Sequence, residues 1–454
     1  MNATAYFSCT RNYGCTTDSG KLQALPDAFG FFRNSFTGTV WLITRPPNVA
    51  QLVKVMAIDI KVGMYMSHPD RPWLETSFLF QGLILDSEKL IVKVQAECKY
   101  IYVDKEKSFA AAAPKKMAAQ APLQINTPPI KAPVEKVFRE AQNVHTETKA
   151  EIEQTLKKMA AGESINVTRI RGSVKSCVKS IMTNPNAMLW LGKLRHKDNY
   201  IAEHCLNVGI LAIAFGRHLG LSEDELETLG LCGMLHDVGK LQVDQSILDK
   251  PSSLTEAEFS IIKEHCRAGK EILAKDPNMP KVVVEAAFGH HERADGNGYP
   301  RGIKAESLHA YTRIISIIDT YDAITTNRCY DKSRPATEAI KILFSCRSTQ
   351  FEPNLVEKFI ECLGIYPIGS LVELRSGEAA VVIDSNKNSR LHPRVTIVLD
   401  EEKHYRAPLI VDTAAHVNNS AERTIKRVLD ENEYPIDLGD IFANFIQRRN
   451  SVSA

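Results

Sequence analysis

The sequence contains no C-x-x-C pair, no apolar run near the ~18 residues that a membrane span requires, and no strong net charge. Its ten cysteines are scattered, and Cys205, Cys232, Cys266 and Cys329 lie within segments of helical pattern. They read as small buried hydrophobes in a reducing compartment rather than as a disulfide frame. The first residues, MNATAYFSC, have neither the basic start nor the apolar core of a secretory signal. A cytoplasmic protein with no membrane span is expected. A formal net charge of +2 excludes a global basic field for long nucleic acid or an acidic membrane surface. A small anionic ligand needs only a few local cations. Hydrophobic residues make up 44% and charged residues 24%, the balance of a folded globular chain.

The 454 residues divide by pattern. Residues 1–52 show little periodicity and are left unassigned. From 53 to 104 short alternating stretches (MAIDI, GLILD and KYIYVD) suggest the strands of a small β-rich domain, and Trp73, Phe78 and Phe80 between them read as aromatic core. Residues 105–133 are rich in Ala, Pro, Lys and Gln and read as a linker, because such a segment buries too little to offset its ordering entropy. A helical pattern then runs to about residue 362. Thr255 and Glu258 form a capping box at the head of a helix that carries Phe259, Ile262 and Ile272. Beyond Gly364 the period shortens again, so 371–454 is expected to be a small β appendage with a polar, peripheral tail from residue 420. The fold class expected is α+β, with an all-α helical bundle over 134–370 at its centre.

Within that bundle the metal-binding residue types recur at a steady pace: His204, then His236-Asp237, His265, His290-His291 and Asp319. Each gap has the length of one helix plus one connection, so successive helices could bring one or two ligands to a shared centre. All lie on apolar faces. His204 shares its stripe with Val208, Leu211 and Phe215, and His265 with Ile261, Ile262, Gly269 and Ile272. His236-Asp237 closes the run Leu231-Cys232-Gly233-Met234-Leu235, and Asp319 follows Ile314-Ile315-Ser316-Ile317-Ile318. One such histidine is more often a hydrogen-bonded core residue. Five histidines and two aspartates so placed argue for a cation that compensates their burial. Imidazole and carboxylate suit Fe, Mn, Zn or Ni without choosing among them.

His236-Asp237-Val238-Gly239-Lys240 resembles the H-D-x-G-K signature of the HD superfamily of metal phosphohydrolases. The segment HHERADGNGYP, His290 to Pro300, resembles the sequence that names the HD-GYP subfamily. The order of the two motifs, with His265 between them and Asp319 after, makes the similarity specific over roughly 190–370. The segment 56–104, with DRPWLETSF, resembles a small domain of undefined function that often precedes HD-GYP domains in bacterial proteins. The resemblance implies a phosphodiesterase that cleaves the bacterial second messenger cyclic di-GMP, or in some members cyclic GMP-AMP, by attack of a hydroxide shared between metals. It implies that His204, His236, Asp237 and Asp319 hold one ion, and that Asp237, His265, His290 and His291 hold the other, with Asp237 bridging. Two ions rather than three are expected, because Tyr200 stands where three-metal members carry Glu, and Glu203 would point about 100° away from His204 on a helix.

Asp237 and Lys240 are the expected catalytic residues. Lys240, placed one turn beyond His236, would offset charge on the phosphate. Gly296, Gly298, Tyr299 and Pro300 would shape a loop along the substrate, with Gly298, Tyr299 and Pro300 in reach of it, while Arg301 and Arg313 read as solvated charges. Asp319 and Asp322 share a helix face, with Asp319 as the ligand and Asp322 orienting a ligand histidine. Where the family shows Arg-Pro-Tyr and a basic residue, this chain has Arg328-Cys329-Tyr330-Asp331, with Lys332 one place later. Arg328 and Lys332 can still bind substrate, whereas Asp331 would repel a phosphate. Two other readings are a catalytically silent domain that senses a dinucleotide or docks on a signalling protein through the GYP loop, and a nucleotidase of the HD type. The complete donor set argues against the first, and HHERADGNGYP against the second.

Overall fold

A computed structural model describes residues 52–71, 83–85, 88–105, 108, 127–163, 166–194, 200–326, 333–386, 389, 391–416, 422–430, 433, 434, 436 and 439. Trp73, Phe78 and Phe80, residues 106–107 and 109–126 of the expected linker, and the segment holding Arg328, Asp331 and Lys332 lie outside them. The chain divides into two compact units, whose described residues fall within 52–108 and 127–439.

The first unit is a four-stranded antiparallel sheet of order β1-β4-β2-β3, from Leu52–Met56 (β1), Tyr65–Pro69 (β2), Leu83–Ile84 (β3) and Tyr100–Asp104 (β4). One helix, α1 (Glu88–Glu97), joins β3 to β4. Met66, Leu85, Ile91, Val94, Ile101 and Val103 form its core. MAIDI is not the strand expected. The strand stops at Met56, and Ala57–Asp59 turns into a 3-10 helix. There Ala57 donates its N–H to the Lys99 carbonyl at 3.0 Å, while Ile58 is left 84% exposed. Helix α1 escaped the sequence pattern because the β-branched run around Ile91 reads as strand.

The second unit holds twelve helices among the described residues: α2 (Val134–Ala160), α3 (Val167–Thr183), α4 (Pro185–Leu191), α5 (Tyr200–Leu219), α6 (Glu223–Leu235), α7 (Gln245–Leu248), α8 (Glu256–Lys263), α9 (His265–Leu273), α10 (Lys281–Gly289), α11 (Ala310–Ile324), α12 (Ala336–Ser345) and α13 (Pro353–Leu363). Ser222 and Thr255 open α6 and α8 with complete capping boxes to Glu225 and Glu258, which satisfy backbone donors a helix start leaves unpaired. Phe138, Trp190, Phe215 and Phe359 are fully buried, and the last two meet edge to face at 5.2 Å. Among the described residues no helix is long and apolar enough to cross a membrane.

A five-stranded antiparallel sheet of order β8-β7-β6-β5-β9 completes this unit: β5 (Leu371–Leu374), β6 (Ala379–Asp384), β7 (Arg394–Leu399), β8 (Tyr405–Asp412) and β9 (Ile425–Val428). Polar anchors tie it to the helices. The Asn186 amide donates to Asp384 at 2.6 Å, and Arg394 to Glu135 at 2.9 Å. Part of the expected peripheral tail is strand: β9, at the edge of this sheet, pairs Val428 with Val372. It reads as polar because Lys426 and Arg427 both ion-pair with Glu373 of β5, at 3.0 and 2.6 Å.

Candidate metal centre

The motif His236-Asp237 falls where α6 ends. Asp237 leaves the helical conformation, and Val238–Gln242 continues as a 3-10 helix laid against α9. Gly239 permits that approach, since a Cβ there would overlap the His265 carbonyl and crowd the Gly269 amide. The glycine of the motif thus brings Asp237 to the start of the helix that carries His265. That helix is also shorter than expected. The periodic stripe from Phe259 to Ile272 breaks at Glu264, so α8 and α9 are separate, and Ile261 points to solvent at 47% exposure.

Seven expected donors converge and all are buried: His204, His236, Asp237, His265, His290, His291 and Asp319. Asp237 sits between two groups. Its Oδ2 lies 3.4 Å from Nε2 of both His204 and His236, and Asp319 Oδ1 lies 3.1 and 3.7 Å from the same two nitrogens. Its Oδ1 lies 3.4 Å from His265 Nε2 and 3.6 Å from His290 Nε2. His291 presents Nδ1 4.0 Å from Asp319 Oδ2.

The opposite ring nitrogens are engaged in ways that set the tautomers. His236 Nδ1 meets the Gly233 carbonyl at 2.7 Å, His265 Nδ1 the Ile262 carbonyl at 2.6 Å, and His290 Nδ1 the Ala287 carbonyl at 3.0 Å. A carbonyl can only accept, so each Nδ1 carries the proton and each Nε2 turns a lone pair to the centre. His204 Nδ1 likewise donates to Asp322 Oδ2 at 2.7 Å. Burial pushes His236 and His291 down, and His265 down to about 3, which keeps these rings neutral. Burial alone would raise Asp237, but the charge of Lys240 beside it outweighs that and holds the carboxyl ionised.

This donor set fits metal ions. His236 Nε2 and Asp237 Oδ1 are buried without a hydrogen bond. Two buried carboxylates, Asp237 and Asp319, face a centre whose described ammonium is that of Lys240. Such an arrangement is costly unless cations compensate it.

Lys240 departs from the expected geometry. It lies on the 3-10 helix, not one α-turn along from His236, and its buried Nζ bonds Asp237 Oδ2. The GYP loop also folds inward. The Tyr299 ring packs on His291 at 4.8 Å and edge-on to Phe259 at 6.1 Å. Gly298 runs so close to the His291–Arg293 backbone that a Cβ would overlap it, and the Tyr299–Pro300 bond is cis. The described contacts of Gly298 and Tyr299 are therefore with the metal-side backbone and ring. Glu203 faces Lys149 at 2.6 Å, while Arg301 and Arg313 pair with Glu285 and Glu352 instead of standing solvated alone.

A model of the HD domain matches residues 189–355, and a model of a domain of unknown function matches residues 52–170. A cyclic di-GMP phosphodiesterase of Pseudomonas aeruginosa is 31% identical over 352 residues, which cover 76% of this chain and 85% of that protein. The chain belongs to the HD-GYP family. Other HD-GYP relatives align over the catalytic region alone. A cyclic di-GMP phosphodiesterase response regulator of Xanthomonas campestris is 36% identical over 168 residues, 37% of this chain and 44% of that protein. A 3'3'-cGAMP-specific phosphodiesterase of Vibrio cholerae is 33% identical over 171 residues, 38% of this chain and 37% of that one. The chain thus spans less than half the length of these two. HD domains are metal-dependent, and the His/Asp clusters here could bind metal.

Two residues of this HD-GYP site were not singled out from the sequence. Cys266 lies with its Sγ 3.6 Å from His265 Nε2, in one cluster with His265, His290 and His291. Its adjacency to a metal-type histidine was the available signal. Burial raises its thiol well above the usual range. Glu292, third residue of HHE, has a fully buried side chain that accepts the backbone N–H of Arg301 at 2.8 Å and of Ile303 at 3.1 Å. It therefore clamps the far end of the GYP loop. Glu292→Ala leaves both donors without that acceptor, at about 1–3 kcal/mol each. Chemical denaturation should show a loss of about 2–6 kcal/mol, and an unchanged midpoint would mean the loop is held elsewhere.

Proposed function

We propose that this HD-GYP protein is a phosphodiesterase that hydrolyses cyclic di-GMP with two divalent transition-metal ions. His204, His236, Asp237 and Asp319 would hold one ion, and Asp237, His265, His290 and His291 the other. The observation that carries the reading is the division of Asp237, with one oxygen facing His204 and His236 and the other facing His265 and His290. When bound, such ions act as Lewis acids toward the phosphodiester and lower the pKa of water.

The chain's own residues prepare that centre. The carbonyls of Gly233, Ile262 and Ala287 keep three imidazoles in the tautomer that donates from Nε2. Burial keeps His236 and His265 neutral, so no proton has to leave before they coordinate. Lys240 supplies a proton-bearing cation beside Asp237, within the site where a phosphate must approach. The likeness to a cyclic di-GMP phosphodiesterase over 76% of the chain favours that substrate over cyclic GMP-AMP.

The test is metal content by mass spectrometry together with chromatographic turnover of both dinucleotides. Two ions per chain and conversion of cyclic di-GMP are expected. Metal-loaded protein that leaves both compounds intact would reduce the domain to a silent sensor. Preference for cyclic GMP-AMP would keep the reaction and change the substrate.

Asp322 offers a finer test of the His204 position. Its hydrogen bond orients the ring, and losing such an outer partner costs roughly 10–100-fold in metal affinity or activity. Asp322→Asn should fall in that range and Asp319→Asn beyond it, measured by competition with a chromophoric chelator. The reverse ranking would show that Asp322, not Asp319, is the ligand.

A further inference from the structure

We infer that Cys266 is an additional metal ligand of this chain, giving the His265/His290/His291 position a sulfur donor and a preference for zinc-like, thiolate-binding ions. The inference rests on the metal-binding reading above and goes beyond its imidazole and carboxylate donors. Cys266 begins α9 beside His265, and both side chains are fully buried. One ligand atom from each of His265, Cys266, His290 and His291 lies within 4.8 Å of every other.

Two of the separations match a tetrahedral site. Metal–nitrogen bonds of about 2.0–2.1 Å and a metal–sulfur bond of about 2.3 Å at the tetrahedral angle put two nitrogens about 3.3–3.4 Å apart, and nitrogen and sulfur about 3.5–3.6 Å apart. His265 Nε2 lies 3.4 Å from His290 Nε2 and 3.6 Å from Cys266 Sγ. These spacings exist before any ion is added. Asp237 Oδ1, at 3.4 and 3.6 Å from the same two histidines, makes a fifth candidate donor, enough for four- or five-coordination.

The chemistry balances without a co-reactant. The metal–sulfur bond forms as the S–H bond breaks, and the proton leaves to solvent. A thiolate shifts selectivity from Mn²⁺, which prefers oxygen, toward Zn²⁺ and other softer ions. The competing account is a thiol that donates a weak hydrogen bond to His265 Nε2 and binds nothing.

Cobalt(II) loading of the full-length protein separates the two without using activity. Visible ligand-field bands report that cobalt is bound, and a near-ultraviolet sulfur-to-cobalt charge-transfer band reports a thiolate ligand. The wild-type protein should show both. Cys266→Ser should keep the visible bands, lose the near-ultraviolet band, and bind zinc at least about tenfold more weakly, since even an outer partner is worth that much. Visible bands without charge transfer in the wild type would overturn the role of Cys266 and leave the metal centre standing. Absence of bound cobalt would overturn both. A band that persists in Cys266→Ser would assign the sulfur to another cysteine and also defeat the inference. If Cys266→Ser does not fold, X-ray absorption at the zinc edge of the wild type decides, by the presence or absence of a sulfur shell at about 2.3 Å.

Discussion

Asp237→Asn should lose nearly all bound transition metal and at least about 10³-fold in turnover of cyclic di-GMP, the upper end of what removal of one transition-state donor costs. Asp237 presents its two oxygens to different histidine pairs. Oδ2 faces His204 and His236, and Oδ1 faces His265 and His290. Asparagine keeps the shape but replaces one of those oxygens with an NH₂ that repels a cation. It also removes the negative charge opposite Lys240, and breaking one side of a buried ion pair costs about 3–5 kcal/mol. Metal content is therefore to be read per folded molecule, with circular dichroism as the control. His236→Ala removes a donor from one group only and should lose less. Folded Asp237→Asn with wild-type metal content would end the bridging assignment.

The donors were legible because each sits in a pattern that periodicity exposes as inward-facing and that motif order makes specific. His204, His265 and Asp319 fell on apolar stripes, and all three are buried in one cluster with the HD and HH pairs. Asp322, expected to orient a ligand histidine, does hydrogen-bond His204. What periodicity does not carry is a break in a continuous stripe, so the end of α8 at Lys263 was read through as one helix. It says as little about chemistry on a residue whose default is hydrophobic, and Cys266 was taken with the other buried cysteines. Edge strands fail for a different reason. In β8 the run YRAPLIVD is exposed along most of its length, and β9 turns Lys426 and Arg427 to partners on β5, so neither shows the alternation of a half-buried strand. In the first unit β2, the run YMSHP, carries a Pro at its end and few β-formers, and it joins the sheet through β4 rather than through propensity.

Lys240→Met should retain metal and lower turnover by roughly 10²-fold, the scale for losing one preorganised donor to a developing negative charge. Its position makes the expectation more demanding than its motif did. The ammonium bonds Asp237 Oδ2, the oxygen that also faces His204 and His236. It would thus compete with a cation for that oxygen, and an ion bound there would leave its charge free for the phosphate. Two roles give different signatures. A lysine that only neutralises Asp237 would, once removed, lower the melting temperature and change metal affinity, and turnover would fall only in proportion to metal lost. A lysine that meets the transition state would leave metal occupancy equal to or above the wild type, because a competing cation is gone. It would depress kcat and kcat/KM together, since the interaction is made only as charge develops. Methionine is the variant of choice because it keeps the aliphatic stem that this buried site packs against. Metal content, melting temperature and both kinetic constants measured on one preparation decide the matter. Unchanged turnover at full occupancy would confine Lys240 to the role of counterion.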